Sequence, residues 1–252
     1  ATLGVIGGGV MGEALLSRLL HLGVFSQDSI FVSDPSENRR QFLYNTYGMQ
    51  VVEDNEVVVQ QADVVLLAVK PQILPKVVDQ LKDTISTVRP LLLSILAGVT
   101  LQQLAESFVG WPVIRAMPNT PATVGAGVTA LSSGTGITQK QLDQARKIFA
   151  CVGDVVQVPE YLMDAVTALS GSGPGYIALV VEALADGGVA AGLPRSTAMQ
   201  LAILTVKGTA ELLQQSGLHP GALKDRVTSP GGTTIAGVAQ LEESGLRSAL
   251  IK

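Results

Sequence analysis

The sequence predicts an α/β fold in two parts: an open, mainly parallel sheet over residues 1–158, then an all-helical domain over residues 159–252. Three observations carry that prediction. Through the first two-thirds, short Val/Ile/Leu runs alternate with amphipathic stretches, the pattern of strand–helix–strand units. A glycine-rich turn at residues 7–12 follows the first of those runs. After Pro159 the strand signals stop, and long stretches rich in small residues take over.

The strands follow in order as Thr2–Ile6, Ile30–Ser33, Gln50–Val52, Val64–Ala68, Leu91–Ile95 and Val113–Met117, with further runs at Gly127–Ser133 and Asp154–Val158. Their nearly continuous branched character suits strands covered on both faces. Helices are expected between them over Met11–Leu22, Ser36–Thr46, Gln72–Lys82, Leu101–Ser107 and Gln139–Phe149. The second part reads as helices over Glu160–Leu169, Tyr176–Ala191, Ser196–Ser216 and Thr234–Ser244. Tyr176–Ala191 is apolar nearly all round, and such a helix must be buried. Ser196–Ser216 carries only Lys207 and Glu211 as formal charges. A domain of this size has too little interior to hide both, so the helical domain is expected to dimerise.

Composition narrows the function classes. Of the 252 residues 47% are hydrophobic and 15% charged, against about 25% charged in an average domain. That excludes disorder and leaves too few charges to coat a monomer. A net charge of −4 and a pI near 5.2 favour neither nucleic acid nor an anionic membrane. Cys151 is alone, so no internal disulfide forms, and two histidines, His21 and His219, are a poor inventory for a metal site. Mean hydropathy is +0.38, yet Lys70, Glu182, Asp186 and the Gly171–Gly175 run break every apolar stretch short of the roughly 20 residues a span needs. Thr2–Ile6 has no basic segment before it, so no secretory signal is read and the expected location is cytoplasmic.

Gly7, Gly9 and Gly12 fit G-x-G-x-x-G between a strand and a helix, the context that gives the motif meaning. Gly7 would make the tight turn, Gly9 would admit a pyrophosphate, and Gly12 would let helix and strand pack closely. The helix N-terminus then faces the phosphates. The first part is therefore expected to be a Rossmann dinucleotide-binding domain. Asp34, 22 residues after Gly12, can bond the adenosine ribose and favour NAD. Ser33, Ser36, Asn38 and Arg39 crowd the same turn and can hold a 2′-phosphate; the alternative for Arg39 and Arg40 is a solvated helix face. Taken together the group outweighs Asp34, so NADPH is the expected cofactor, with NADH able to replace it. Ala68–Val69–Lys70–Pro71 ends the fourth strand, where open sheets bind ligands. Lys70 reads there as an exposed charge rather than a catalytic acid.

Two later segments look chemical. Arg115–Pro121 leaves a strand through Pro118 and Pro121, which makes a rigid loop at the sheet's carboxyl edge. Ser229–Pro230–Gly231–Gly232–Thr233–Thr234 runs directly into a helix. Glycines before a helix start expose several N–H groups, an anion site suited to a carboxylate; the alternative is plain N-capping by Thr233 or Thr234.

The longer stretch His219–Thr234 with its continuation Ile235–Leu241, together with Arg115–Pro121, Ala68–Pro71 and Ala168–Tyr176, closely resembles the pyrroline-5-carboxylate reductase family, and the resemblance spans essentially the whole chain. The resemblance implies a Rossmann domain followed by a helical domain that interlocks with its partner in a dimer, five of which can form a decamer. It implies reduction of 1-pyrroline-5-carboxylate to L-proline with NAD(P)H, the last step of proline synthesis. By the same resemblance the pyrophosphate loop falls on Gly7, Gly9, Val10 and Met11. The nicotinamide side falls on Ala68, Lys70, Pro71, Ala97 and Asn119. The substrate carboxylate falls on Gly232, Thr233 and Thr234, with the Thr234 hydroxyl near the ring nitrogen as the catalytic group and Val227 lining the pocket. The chain departs from the family at Leu218, where a polar residue is usual.

A β-hydroxyacid dehydrogenase shares the two-domain plan but, by resemblance, needs a lysine on the first helix of its second domain; no lysine occurs between Lys147 and Lys207. A cofactor-sensing module without catalysis would have no use for the Gly231–Thr234 carboxylate site.

Overall fold

In the computed structural model, which describes all 252 residues, the chain divides into units 1–176 and 177–252. The first unit holds eight strands: β1 (Leu3–Ile6), β2 (Ile30–Ser33), β3 (Gln50–Val52), β4 (Val64–Leu67), β5 (Leu91–Ser94), β6 (Val113–Met117), β7 (Gly127–Ser133) and β8 (Gly153–Gln157). They form one sheet in the order β3-β2-β1-β4-β5-β6-β7-β8. Its helices are α1 (Val10–His21), α2 (Glu37–Tyr47), α3 (Asn55–Gln61), α4 (Leu74–Gln80), α5 (Lys82–Ile85), α6 (Leu101–Ser107), α7 (Gln139–Phe149) and α8 (Met163–Val166). The Rossmann expectation holds. β1 pairs in parallel with both β2 and β4, setting Ile6 beside Ser33 and Leu67. The chain order reverses there, which is where such sheets bind their ligands.

Alternation along β1 explains why both faces are covered. Leu3 and Val5 point to one core with Leu15, Leu19 and Phe149. Ile6 points to the other with Leu67, Leu104 and Phe108. Thr100 and Thr138 each start a helix with a reciprocal capping box, closed by Gln103 and Gln141. Those two helices begin and end where the sequence places them.

Three features depart from the sequence expectation. Asn55–Gln61 is helical, because the Asp54 carboxylate accepts from the Glu56 N–H and caps it despite three consecutive valines. The single helix expected over Gln72–Lys82 is a 3-10 turn at Pro71–Ile73 followed by α4 and α5, broken at Leu81. β7 runs antiparallel to β6, since residues 118–126 are too few for the crossover a parallel pair requires.

The approach to the helical unit is also irregular. Glu160–Leu162 is a 3-10 turn, and after α8 the backbone widens into a π turn at Thr167–Gly171. Buried Arg115 on β6 pairs with Glu160 at 2.8 Å, and the same carboxylate oxygen accepts from the Leu101 N–H at 2.9 Å. One side chain thus ties the turn to β6 and to the start of α6.

α9 (Gly173–Ala190), in which the division between the units falls, leads into α10 (Arg195–Ser216), α11 (Pro220–Val227), α12 (Thr233–Glu243) and α13 (Leu246–Ile251). α11 and α13 were not expected as helices. Within this unit only Ala185, Ala198 and Ala202 are buried as a core. Ile177, Leu179, Leu184, Leu201, Ile203 and Leu204 stand exposed. By length and composition alone the helical stretch Glu160–Ala190 could cross a membrane, and little of its most apolar part is buried in the single chain; Glu182 and Asp186 interrupt it.

Candidate active site

The glycine loop has the geometry its spacing predicts. Gly7 has φ +102°, and a Cβ there would lie 2.7 Å from the Ala68 carbonyl oxygen. At Gly12 a Cβ would lie 2.5 Å from the Gly7 oxygen. At Gly9 nothing stands within 4 Å of an added Cβ. Two glycines are demanded by packing and the third by space left open in front of α1. Gly9 is also the N-cap of α1, with no side chain closing the helix end. The N–H groups of Val10 and Met11 head that first turn, so the loop is a cradle of the right kind for a pyrophosphate.

Around this cradle the predicted residues fall into two groups. Ala68 and Pro71 flank the end of β4, and Lys70 is exposed as the N-cap of the 3-10 turn. Ala97 is exposed in the turn after β5. Asp34 is turned toward the loop: Oδ2 accepts from the Gly8 N–H at 3.0 Å and Oδ1 from the Ser36 N–H at 2.9 Å. Ser33 is buried and donates its hydroxyl to Asn55 Oδ1 at 2.6 Å. Ser36 caps α2 by accepting from the Arg39 N–H. Arg39 itself is not a solvated helix side chain: its Nε donates to the Gly8 carbonyl and its Nη2 pairs with Glu13. Neither Glu13 nor Tyr47, which donates to it, was singled out from sequence; the available signal was an acid in the first turn after the glycine loop.

Asn119 has a structural task as well as its predicted place. Its Oδ1 accepts from the Val128 N–H at 2.9 Å, and its Nδ2 donates to the Ser170 carbonyl at 3.1 Å. Pro174 has no N–H, so the Ser170 carbonyl lacks the helical donor four residues on. Asn119 supplies the missing bond across 51 residues of chain. Asn119→Ala should therefore cost about 1–2 kcal/mol, in the lower part of the usual penalty because the stranded groups are only partly buried. A thermal melt checks this: at this chain length each kcal/mol moves Tm by about 2–4 °C.

Cys151 is buried, and that burial pushes its thiol up to about 11, so it stays protonated near neutrality and offers no nucleophile.

In the helical unit, Gly231 has φ +66° and Gly232 is the N-cap of α12, with no side-chain cap. Capping by Thr233 or Thr234 is therefore corrected: these residues are the first two inside the helix, and both are exposed. Their N–H groups sit in the first turn, where helix geometry leaves donors unpaired and the dipole favours an anion. Val227 closes α11 with its side chain exposed.

Residues 160–252 match the family profile described as pyrroline-5-carboxylate reductase dimerisation, and residues 2–98 match one described as NADP oxidoreductase coenzyme F420-dependent. A pyrroline-5-carboxylate reductase from Synechocystis sp. is 54% identical over 250 residues, covering 99% of this chain and 93% of the relative. The solved structure of a pyrroline-5-carboxylate reductase from Coxiella burnetii superposes with a TM-score of 0.93 at 35% identity, covering 100% of this chain and 93% of that one. A Plasmodium falciparum pyrroline carboxylate reductase solved with NADP bound gives a TM-score of 0.88 at 31% identity, over 99% and 92% of the two chains. With more than half its residues identical to such a relative over nearly its whole length, the chain belongs to the pyrroline-5-carboxylate reductase family.

Proposed function

We propose that this protein reduces 1-pyrroline-5-carboxylate to L-proline with NADPH, NADH being the weaker alternative, as the last step of proline biosynthesis in the cytoplasm. The full-length likeness to a reductase of that name from Synechocystis sp. carries the reading. The glycine cradle at Gly7–Gly12 and the uncapped start of α12 fit its two ligands. Residues 1–158 serve as the nucleotide domain and residues 159–252 as the substrate and dimerisation domain. In the first, Gly7, Gly9, Val10, Met11 and Gly12 hold the pyrophosphate, Ser33, Asp34 and Arg39 meet the adenosine end, and Ala68, Lys70, Pro71, Ala97 and Asn119 line the nicotinamide side.

When bound, the reduced nicotinamide supplies the hydride. The protein's share is positioning, which can contribute several kcal/mol by holding reactants in line. Gly232, Thr233 and Thr234 take the substrate carboxylate at the α12 N-terminus, Val227 borders the ring, and the Thr234 hydroxyl bonds the ring nitrogen. A partly protonated imine accepts hydride without a strong general acid, so the reaction does not call for a cysteine or a histidine. Nicotinamide absorbance followed with and without the imino acid tests the reading. No turnover with either cofactor, in a folded oligomeric sample, would sink it.

The chain is a homo-oligomer through its dimerisation region, and a dimer that assembles further into a decamer of five dimers suits the exposed leucines and isoleucines of α9 and α10. A second copy, rather than lipid, is the cover this reading gives to Glu160–Ala190. Light scattering at micromolar concentration should find nothing as small as the 26.2 kDa chain; an active monomer would refute the assembly.

A further inference from the structure

Arg39, the cation assigned to the adenosine end of the cofactor, is already paired in the protein alone. It stands in the first turn of α2, and its guanidinium reaches over the glycine loop to the Gly8 carbonyl and to Glu13 Oε2. Phe42 supports the guanidinium from α2, with its ring centroid 4.9 Å away. Glu13, in the first turn of α1, accepts a second hydrogen bond on Oε1, from the Tyr47 hydroxyl at 2.7 Å. The Arg39 and Glu13 side chains are 26% and 25% exposed, so water reaches the pair without dissolving it.

On the strength of the NADP(H) reading above, we propose that Glu13 is a specificity-determining residue: its carboxylate competes with the 2′-phosphate for Arg39 and holds NADPH preference below what Arg39 alone would give. On that reading a 2′-phosphate engages the Arg39 guanidinium, and to do so it must either displace Glu13 or sit beside a like charge. Both cost free energy. NADH presents a hydroxyl at that position and makes no such demand, so the penalty falls on NADPH alone. An acid in the first turn also favours the helix dipole, but that role does not require a reach to the guanidinium of another helix. Burial works against ionisation of Glu13, and the hydrogen bonds from Arg39 and Tyr47 outweigh it, holding the carboxyl below its usual value. The competitor is therefore fully charged at neutral pH. Burial and the neighbouring carboxylate push the Tyr47 hydroxyl up, so it remains a donor and keeps Glu13 in place.

The test is calorimetric binding of NADPH and NADH to the full chain, with Tm recorded on each sample. Glu13→Gln should tighten NADPH about 3- to 10-fold, the range expected for releasing a partly exposed ion pair, and leave NADH within about twofold. Glu13→Ala should do the same, which guards against an effect peculiar to the amide. In Glu13→Gln combined with Arg39→Ala the gain should vanish. Equal tightening of both cofactors, a gain that survives loss of Arg39, or weaker NADPH binding overturns the proposal; the last would show that Glu13 positions Arg39 instead. If the unaltered protein binds neither nucleotide, the cofactor reading itself fails, an outcome distinct from all of these.

Discussion

Gly9→Val is expected to remove nucleotide binding while the fold stands. The backbone at Gly9 has φ −68° and ψ −173°, extended geometry open to any residue. An added Cβ meets nothing within 4 Å, so the protein alone accommodates the side chain. The space it fills is the space the pyrophosphate needs. Replacing a glycine N-cap with valine costs α1 about 1 kcal/mol at most, a small shift in Tm. Affinity for NADPH and NADH alike should fall at least ~100-fold, about 3 kcal/mol. Gly12→Ala is the contrast: its Cβ would press to 2.5 Å from the Gly7 oxygen, so stability and binding should fall together. Calorimetry and a melt on the same preparations check both. Normal affinity in Gly9→Val would mean the open space is not the nucleotide's.

The cradle was legible because its causes are local. Strand, glycine spacing and helix start lie within ten residues; Gly12 answers to Gly7, Gly7 to Ala68 at the end of the adjacent strand, and Gly9 to open space. β6, β7, α6 and α7 were legible for the same reason, with branched runs or capping residues marking their ends. α3 was hidden because the β-branched run Val57–Val58–Val59 is a weak helix former, and one cap at Asp54 outweighs it. The π turn was out of reach from sequence: beside it Pro174 leaves the Ser170 carbonyl without a helical donor, and an asparagine 51 residues away supplies one. The Arg39–Glu13 pair is non-local too, joining the first turns of two helices, and pattern reading sees each residue only in its own helix. In the second unit the opposite signal was informative. One helix apolar nearly all round and a second with only two formal charges declared that something must cover them, and the family profile over residues 160–252 is one of dimerisation.

Thr234→Ala is the variant that separates chemistry from architecture at the α12 N-terminus. Gly232 is the N-cap and no side chain closes the helix, so the Thr234 hydroxyl does no capping that its loss would forfeit. The substitution keeps the backbone N–H, which can still meet a carboxylate where the dipole favours negative charge. Alanine is also the better helix former, so stability should hold or rise slightly. Only the hydroxyl disappears. If it bonds the protonated ring nitrogen, the lost interaction is a hydrogen bond to a charged group, about 1.5–3 kcal/mol. kcat/KM for the imino acid should then fall about 10- to 150-fold. NADPH affinity should not change, because Gly7–Gly12 and Arg39 belong to the other unit. Unchanged kcat/KM would remove Thr234 from the reaction and leave carboxylate binding to the backbone alone. Thr234→Ser sharpens the result: it restores the hydroxyl without the methyl, and recovery of most of the lost rate would place the effect on the hydrogen bond rather than on packing.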